Sequence, residues 1–546
     1  MDDDASRGRN NGSDDPTTMA AAAAATMVEE VLLDRYVVFE DELSMVIEER
    51  GGTPESLTVE FVQEEIFASG LRPDEMRAAV QIAMEQVMLR YRADIEAPAD
   101  AILRQRKASR PSAVKKVPII GGGAGHDAAL YREALDGIEP HLRRVAEPPG
   151  ISTLTLRVSW PGDSTWRNFP ASACIAGADG DVLALYVGPY RPGLAATTPG
   201  FYLVYDAGAN SVAVVPPLPP RAVTTFSHCC IGTGVAVLRL RGDDADGFAL
   251  VELLPRQDTR GRISTAATVF TWRSSGPDAG RWVQTEAAAL PLPVEQPDED
   301  DDEEEEAGYS FVADTAFAIG GACLCWVDLL QGMLICDDVL ADERPEFRFV
   351  PLPPGCSVDP DAEGRRGLPD QYRSMCCVER REVDDDDNRE QRPQHTIKFV
   401  TMVGGDGRPI NEVELVTWML DEPRDPRSEW KRGAGSMTLG DIWADPTYKD
   451  ELGLPPMPAS HPVLSTVRDD VVYLELVDDD GGVIGGRCCM LTVDLARRRV
   501  LSGFKFPPGS TNFPLPDVFA TRLHHACISS TRGRLSRSGR AGRKER

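Results

Sequence analysis

Short apolar runs rich in Val, Leu, Tyr and Trp, cut by Gly, Pro and Asp, fill the chain from about residue 151 onward. Runs bounded this way read as β-strands, and helical spacing is almost absent there. The preceding part has a different rhythm. Met76, Val80, Ile82, Ala83, Val87 and Tyr91 fall mostly at three- and four-residue steps, the spacing of one helical face. Pro73 with Asp74 and Glu75 suits the start of that helix, because proline fits the first turn and acids favour the positive end of the helix dipole. Gly70 ends a preceding helix from Thr58 to Ser69, and a third is expected around Val28–Ile47. Residues 1–26 therefore read as a disordered N-terminus, 27–105 as a small helical module and 106–150 as a linker. A β domain follows at 151–530, with an acidic insert at 296–307 and a basic disordered tail at 531–546.

Within the β region the pattern repeats. "DVLALYV…FYLVYDAGANSVAVVPPLPP" (181–220), "ACLCWVDLLQGMLICDDVLADERPEFRFVPLPP" (322–354) and the stretch 470–508 share one layout. Each has an apolar strand, a turn, a strand ending at an aspartate (Asp206, Asp337 or Asp494), a polar turn and a strand running into prolines. A second unit alternates with the first: a strand carrying Thr-Trp, a turn and another Trp, at 269–285 and 415–433. Repetition of short-stranded β units points to a radial array, and so to a mainly β protein built as a β-propeller. Units near 170–220, 222–291, 308–354, 370–443 and 458–508 give five blades. The strands at 151–160 and around 512–530 would make a sixth by pairing the two ends of the chain, with five or seven blades left open. The aspartates are expected to cap turns, the prolines to end outer strands, and Trp272 and Trp418 to pack between blades.

Charge narrows the classes of partner. The chain has 546 residues, with 58 Lys and Arg against 87 Asp and Glu, for a net charge of −29. Such a surface repels nucleic acid and anionic membranes alike. No apolar stretch approaches the ~18 residues of a membrane-spanning helix. Acidic runs at Asp298–Glu306, Asp384–Asp387 and Asp478–Asp480 read as solvated loops. Residues 531–546 reverse the sign, with seven Arg or Lys and one Glu. The start of the chain is acidic, unlike a secretory or organellar leader, so cytosol or nucleus is expected. Twelve cysteines, mostly inside apolar runs and without any C-x2-C pair, read as reduced small hydrophobes.

Motif-like stretches in the same residues are incomplete as catalytic or cofactor sites. Gly121–Gly122–Gly123–Ala124–Gly125 lacks the closing Gly-Lys-Ser/Thr of a phosphate loop, so it reads as a flexible linker. Asp384, Asp386 and Asn388 imitate an EF-hand opening, but Arg389 occupies the place of the turn glycine. The histidines are scattered apart from the His524–His525 pair, and His228 adjoins Cys229. No catalytic, cofactor-binding or metal-ligating residue is nominated, and no cofactor is expected.

The block "CWVDLLQGMLICDDVLADERPEFRFVPLPPG" (325–355) strongly resembles the signature of domain of unknown function 1618, a plant family greatly expanded in grasses. The resemblance extends from about 150 to about 510; the layout also looks, more loosely, like the F-box-associated and kelch-like propellers. It implies no established activity, cofactor or catalytic residue, and the N-terminal segment does not match an F-box. Together these readings favour a non-enzymatic scaffold that binds a protein through the loop face of the propeller, with no membrane or nucleic-acid partner. The alternative is a hydrolase with paired carboxylates at the channel mouth.

Overall fold

The computed structural model describes residues 28–58, 73–110, 112, 114–117, 126–142, 145–168, 172–188, 200–219, 231–240, 247–257, 263–286, 289–293, 311–341, 344–358, 368–380, 394–404, 408–478, 486–506 and 518–524. Residues 1–26, the glycine run at 121–125, Cys229–Cys230, the acidic runs at 298–306 and 384–387, and the basic tail at 531–546 lie outside them.

The expected helix over Val28–Ile47 is a correction. Strand β1 runs over Val28–Asp41, and only Glu42–Glu49 is helical (α1). Val31 and Leu33 enter one apolar core while Leu32 enters another, so neighbouring side chains are buried on opposite faces. A strand buried on both faces has a continuous apolar run, which periodicity cannot distinguish from a helix. Asp41 stops the strand and starts the helix, its carboxylate accepting from the Leu43 N–H at 3.1 Å. Helices α2 (Pro73–Tyr91) and α3 (Ala97–Ser109) follow, joined by a π-helical turn at Arg92–Glu96. Leu43, Val46 and Ile47 of α1 pack on Ala99 and Leu103 of α3.

The expected linker at 106–150 also holds regular structure: β2 (Lys115–Lys116), helix α4 (His126–Asp136) and β3 (Ile138–Leu142). β3 contains Pro140, and lies at the edge of its sheet, where a residue without an N–H is tolerated. The Lys116 ammonium donates to the carbonyls of Leu135, Asp136 and Ile138, fastening β2 to the end of α4.

Next come β4 (Ile151–Val158), then β5 (Ser172–Asp179), β6 (Val182–Gly188), β7 (Phe201–Asp206) and β8 (Ser211–Val215). A four-stranded sheet follows from β9 (Val235–Leu240), β10 (Gly247–Gln257), β11 (Ile263–Arg273) and β12 (Trp282–Glu286). Another comprises β13 (Thr315–Ala318), β14 (Leu324–Asp328), β15 (Gly332–Cys336) and β16 (Arg348–Pro351). Two more are β17 (Arg373–Arg380), β18 (Gln394–Val403), β19 (Glu414–Asp421) and β20 (Lys431–Thr438), and β21 (Ala459–Leu464), β22 (Val471–Asp478), β23 (Gly486–Asp494) and β24 (Arg499–Lys505). A short helix, α5 (Leu439–Ala444), lies between these two, and β25 (Val518–His524) ends the described chain.

Each of the four four-stranded sheets is an antiparallel meander in sequence order, and all of them fall on repeat units expected from the sequence. The remaining strands form a curled nine-stranded sheet. A single bridge, Tyr36 with Cys174, joins its two parts. One part orders β25-β1-β4-β3, and the other runs β5 to β8 with β2 added at its edge. The molecule is thus mainly β, in one curled sheet and several small ones.

Apolar cores occupy the gaps between successive groups of strands. β1, β3 and β4 share a core with β5–β8, and β5–β8 share the next with β9–β12. The series continues through β13–β16, β17–β20 and β21–β24. A last core sets Val463, Tyr473 and Met490 against Leu32 of β1 and Val518 of β25. Tryptophans fasten several gaps, as their repeat predicts. Trp282 donates its indole N–H to the Pro216 carbonyl at 2.8 Å, and Trp430 donates to Pro351 at 2.9 Å. Each bond joins the Trp unit of one sheet to the proline run ending the sheet before it. Trp326, fully buried, likewise donates to Gly234 at 2.8 Å.

The capping role of the repeat aspartates holds in two copies. Asp206 accepts from the Ala209 N–H and Asp494 from the Arg497 N–H, both at 2.9 Å. The next residue adopts a left-handed conformation in each, at φ 47° for Asn210 and φ 52° for Arg498. Asp337 is different: its carboxylate takes the Arg424 guanidinium at 3.1 Å.

The two ends of the described chain meet. β1 pairs antiparallel with β25 over Val28–Asp34 and Val518–His524. Glu30 of β1 also reaches the last small sheet. Its carboxylate accepts from Ser465 Oγ at 2.9 Å, Thr466 Oγ1 at 3.0 Å, the Thr466 N–H and Tyr473 OH at 2.7 Å. Charge-assisted bonds of this kind are among the stronger ones, and removing the carboxylate strands several part-buried donors. Glu30→Ala should therefore cost about 2–4 kcal/mol in equilibrium denaturation, and Glu30→Gln less, because its carbonyl still accepts. A loss below about 0.5 kcal/mol for Glu30→Ala would show that this contact does not hold the chain ends together.

Candidate functional site

One strand from each group, β5, β9, β13, β17, β21 and β25, lines a single cavity of about 1480 Å3. Arg35 and Tyr36 of β1 complete the wall. The strands run the same way along it. Thr521 near the end of β25 donates to the Gly180 carbonyl just past β5, at 3.4 Å. The Arg239 N–H near the end of β9 donates to Asp179 Oδ2 at 2.8 Å. One mouth therefore gathers the strand ends, with Asp179, Asp181, Arg239, Glu379, His395 and Arg522. The opposite mouth gathers the strand starts, with Arg35, Asp314, Asp370, Arg373 and His461.

Most of the guanidinium groups in this wall hold backbone rather than pointing their donors into the space. Arg35 of β1 donates to Ile175 of β5 at 3.2 Å and lies 4.9 Å from the Phe519 ring centre. Arg373 of β17 donates to the Leu329 carbonyl after β14 at 2.9 Å. Arg522 of β25 donates to Glu379 of β17 at 3.2 Å and to the Thr466 carbonyl beyond β21. Their chemistry stitches wall strands from different sheets. His395 pairs across the ladder with Glu379, and its ring covers Gly320. Gly320 has φ +88°, and a Cβ there would stand 2.4 Å from His395 Nε2, so only glycine fits. Burial holds the His395 pKa below the ordinary imidazole range, the Glu379 charge opposing it, so the ring is neutral at pH 7.

The thiols near the cavity are also held in their neutral form. Burial pushes Cys323 up to about 12 and Cys376 up to about 11, and raises Cys325 and Cys377 as well. A thiol kept protonated is a weak nucleophile. Among the described residues, no group of three or more His, Cys, Asp or Glu is placed to hold a metal ion.

Behind the wall, Glu252 of β10 is buried between the second and third groups of strands. It accepts from Tyr202 OH at 2.6 Å and from the N–H of Gly232, a cavity residue, at 2.8 Å. Burial drives its pKa up to about 7 against those two hydrogen bonds. Lys398 of β18 is another buried charge, its ammonium donating to the Ser465 and Arg468 carbonyls at 3.0 Å and pairing with Asp469 at 3.1 Å. No sequence motif nominates either residue. The available signal was a single charge inside an apolar strand, "FALVELLP" or "HTIKFVT". Of the histidines weighed from sequence, His524 lies in β25, whereas His525 and His228 fall outside the described residues.

Two predictions follow from these ionisations. A carboxyl whose folded pKa is raised contributes most below its ordinary value of 4.5, and that contribution is lost as pH rises toward about 7. The stability of the native protein relative to Glu252→Gln should thus fall between pH 5 and pH 7.5, by up to about 1.4 kcal/mol per unit. Paired thermal melts across that range measure it; a flat difference would mean Glu252 stays ionised. Iodoacetamide at pH 8 should modify Cys323, Cys325 and Cys377 at least about tenfold more slowly in the native protein than in guanidinium. Mass-spectrometric rates for each cysteine decide this.

Among solved structures, the chain is similar to one named "Glycoside hydrolase", at 11% identity and a TM-score of 0.27, covering 72% of this chain and 99% of that one. It is also similar to "YCF48 bound to D1 peptide", at 9% identity and a TM-score of 0.21, covering 61% and 84% respectively. No curated protein matches. Residues 326–473, from the second strand of the β13–β16 sheet to the second strand of β21–β24, match the family model described as "Protein of unknown function (DUF1618)".

Proposed function

We propose that the chain is a six-bladed β-propeller closed by the β1–β25 pairing, and that it works as a non-enzymatic scaffold for a protein partner. The blade reading is supported by apolar cores between all successive groups of strands, including the last and the first. The observation that carries the scaffold reading is an apolar surface beside the strand-start mouth. Val358, Leu368, Tyr372, Val403 and Ile410 are each 44–52% exposed. Tyr372 and Val403 are brought close because the Met402 N–H donates to the Tyr372 carbonyl at 2.9 Å. Val358 joins them through the Leu330 carbonyl at 2.8 Å, next to the Leu329 carbonyl that holds Arg373. Apolar side chains exposed together around a rigid rim favour a protein partner.

The hydrolase alternative asks for a carboxyl group kept protonated at a channel mouth. Glu96 and Glu252, carboxyl groups that burial pushes toward protonation, stand elsewhere: one beside Gly162, the other behind the wall. The test is affinity purification of the tagged full chain, beside Tyr372→Asp/Ile410→Asp, with mass spectrometry of retained proteins. A stoichiometric partner lost from the double variant, at unchanged melting temperature, is the expected result. A partner retained equally by both proteins would remove this surface from the scaffold reading. Absence of any stoichiometric partner would turn attention to small molecules in the cavity.

A further inference from the structure

The Glu252 carboxyl group has no exposed surface and sits in the core that β5–β8 share with β9–β12. Its two oxygens take different partners. Oε2 accepts from Tyr202 OH of β7, and Oε1 accepts from the Gly232 N–H at 2.8 Å. Gly232, at φ +83°, belongs to a turn at Ile231–Gly234 that leads into β9, and with Thr233 it lines the cavity. The buried carboxyl therefore lies one hydrogen bond behind the cavity wall. The turn is fastened on either side of that bond. Ile231 is buried in the same core, and the Gly234 carbonyl accepts from Trp326 Nε1 of β14 at 2.8 Å.

Among the described residues, no Lys, Arg or His stands close enough to offset the Glu252 charge. The titratable groups facing it are Tyr202 and, next to that ring, Tyr186 of β6, edge-on at 5.5 Å. Its ladder neighbours are Val235 of β9 and Phe270 of β11, Trp282 of β12 packs on Tyr202, and β5 and β8 bring Ala176 and Val215 to this core. Protonated, the carboxyl keeps both bonds: its O–H donates to the Tyr202 oxygen while Oε1 goes on accepting from Gly232. Ionised, it has two donors and no counter-charge, so hydration is strongly favoured. The cavity, on the far side of Gly232, is the near source of water. We propose that Glu252 is a proton-operated latch on the cavity wall: protonated, it holds the Ile231–Gly234 turn closed, and on losing its proton it lets the turn swing so that cavity water reaches the carboxylate. One proton leaves to solvent for each turn that opens. Burial drives the closed-state pKa from 4.5 up to about 7, so opening increases most between those values, by up to about tenfold per pH unit, and levels off above them. The latch does not depend on the scaffold reading.

Amide hydrogen exchange of the full-length protein tests this, read residue by residue by mass spectrometry with electron-transfer fragmentation. Each rate is divided by that of the unfolded chain at the same pH, which removes the intrinsic pH dependence of exchange. Protection of the Gly232, Thr233 and Gly234 amides should fall at least about tenfold from about pH 5.5 to about pH 7.5. These amides should also exchange at least about tenfold faster than those of β10 at the upper pH, as a local opening requires. In Glu252→Gln, whose side chain keeps an acceptor for Gly232 and a donor for Tyr202 but cannot ionise, protection should change less than about twofold over that range. Should that variant fail to fold, Tyr202→Phe removes a bond that favours the carboxylate, and the fall should move to higher pH by at least about half a unit. Flat protection in the native protein would overturn the proposal. So would an unchanged fall in Glu252→Gln, a fall that stays in place in Tyr202→Phe, or turn amides that exchange no faster than those of β10.

Discussion

The pairing of β1 with β25 is the constraint on which the rest depends. Every small sheet is a local meander, whose strands follow one another in the chain and could pair without help from elsewhere. The group β25-β1-β4-β3 is different, because it takes strands from opposite ends of the described chain. Without that pairing, the apolar faces of Leu32, Val463, Tyr473 and Val518 would have no partner, and the cavity would lack one of its wall strands. Glu30 adds a polar bond across the same seam, taking donors from Ser465, Thr466 and Tyr473.

The cavity wall repeats this logic at its own scale. Parallel strands that splay around a cavity cannot form ladders with one another, so side chains join them instead. Arginine suits the task, since one guanidinium offers several donors in a fixed plane. Arg522 joins two neighbouring wall elements in this way, and Arg35 joins β1 to β5. Buried thiols and a neutral imidazole fill the space between them.

Residues 326–473, the segment matching the family model, contain all five members of the exposed apolar surface. They also contain the Trp430–Pro351 bond and the Lys398 anchor that set the spacing of neighbouring sheets. Packing and exposure are thus interwoven along one stretch. Trp418 and Phe399 are held in a core, while Tyr372 and Val403, a few residues away along the same ladders, face outward.

The sequence by itself determined the sheet units. Alternating apolar runs, the Asp-led turns at Asp206 and Asp494 and the Trp–proline repeat are local features, and local features are what a linear pattern can encode. The strands it left over at 151–160 and around 512–530 do come into one sheet, but only through β1, which lies between them and which the sequence reads as helical. Only the tertiary structure decided the nature of β1, since a strand buried on both faces has the same apolar run as a buried helix. The cavity was illegible for a related reason. Asp179, Glu379 and Arg522 are far apart in the chain and belong to no motif, and they meet because strands of separate groups line one cavity. Nothing in the residues around Glu252 or Lys398 reveals their partners either, because a buried charge is satisfied by whatever the neighbouring sheet presents.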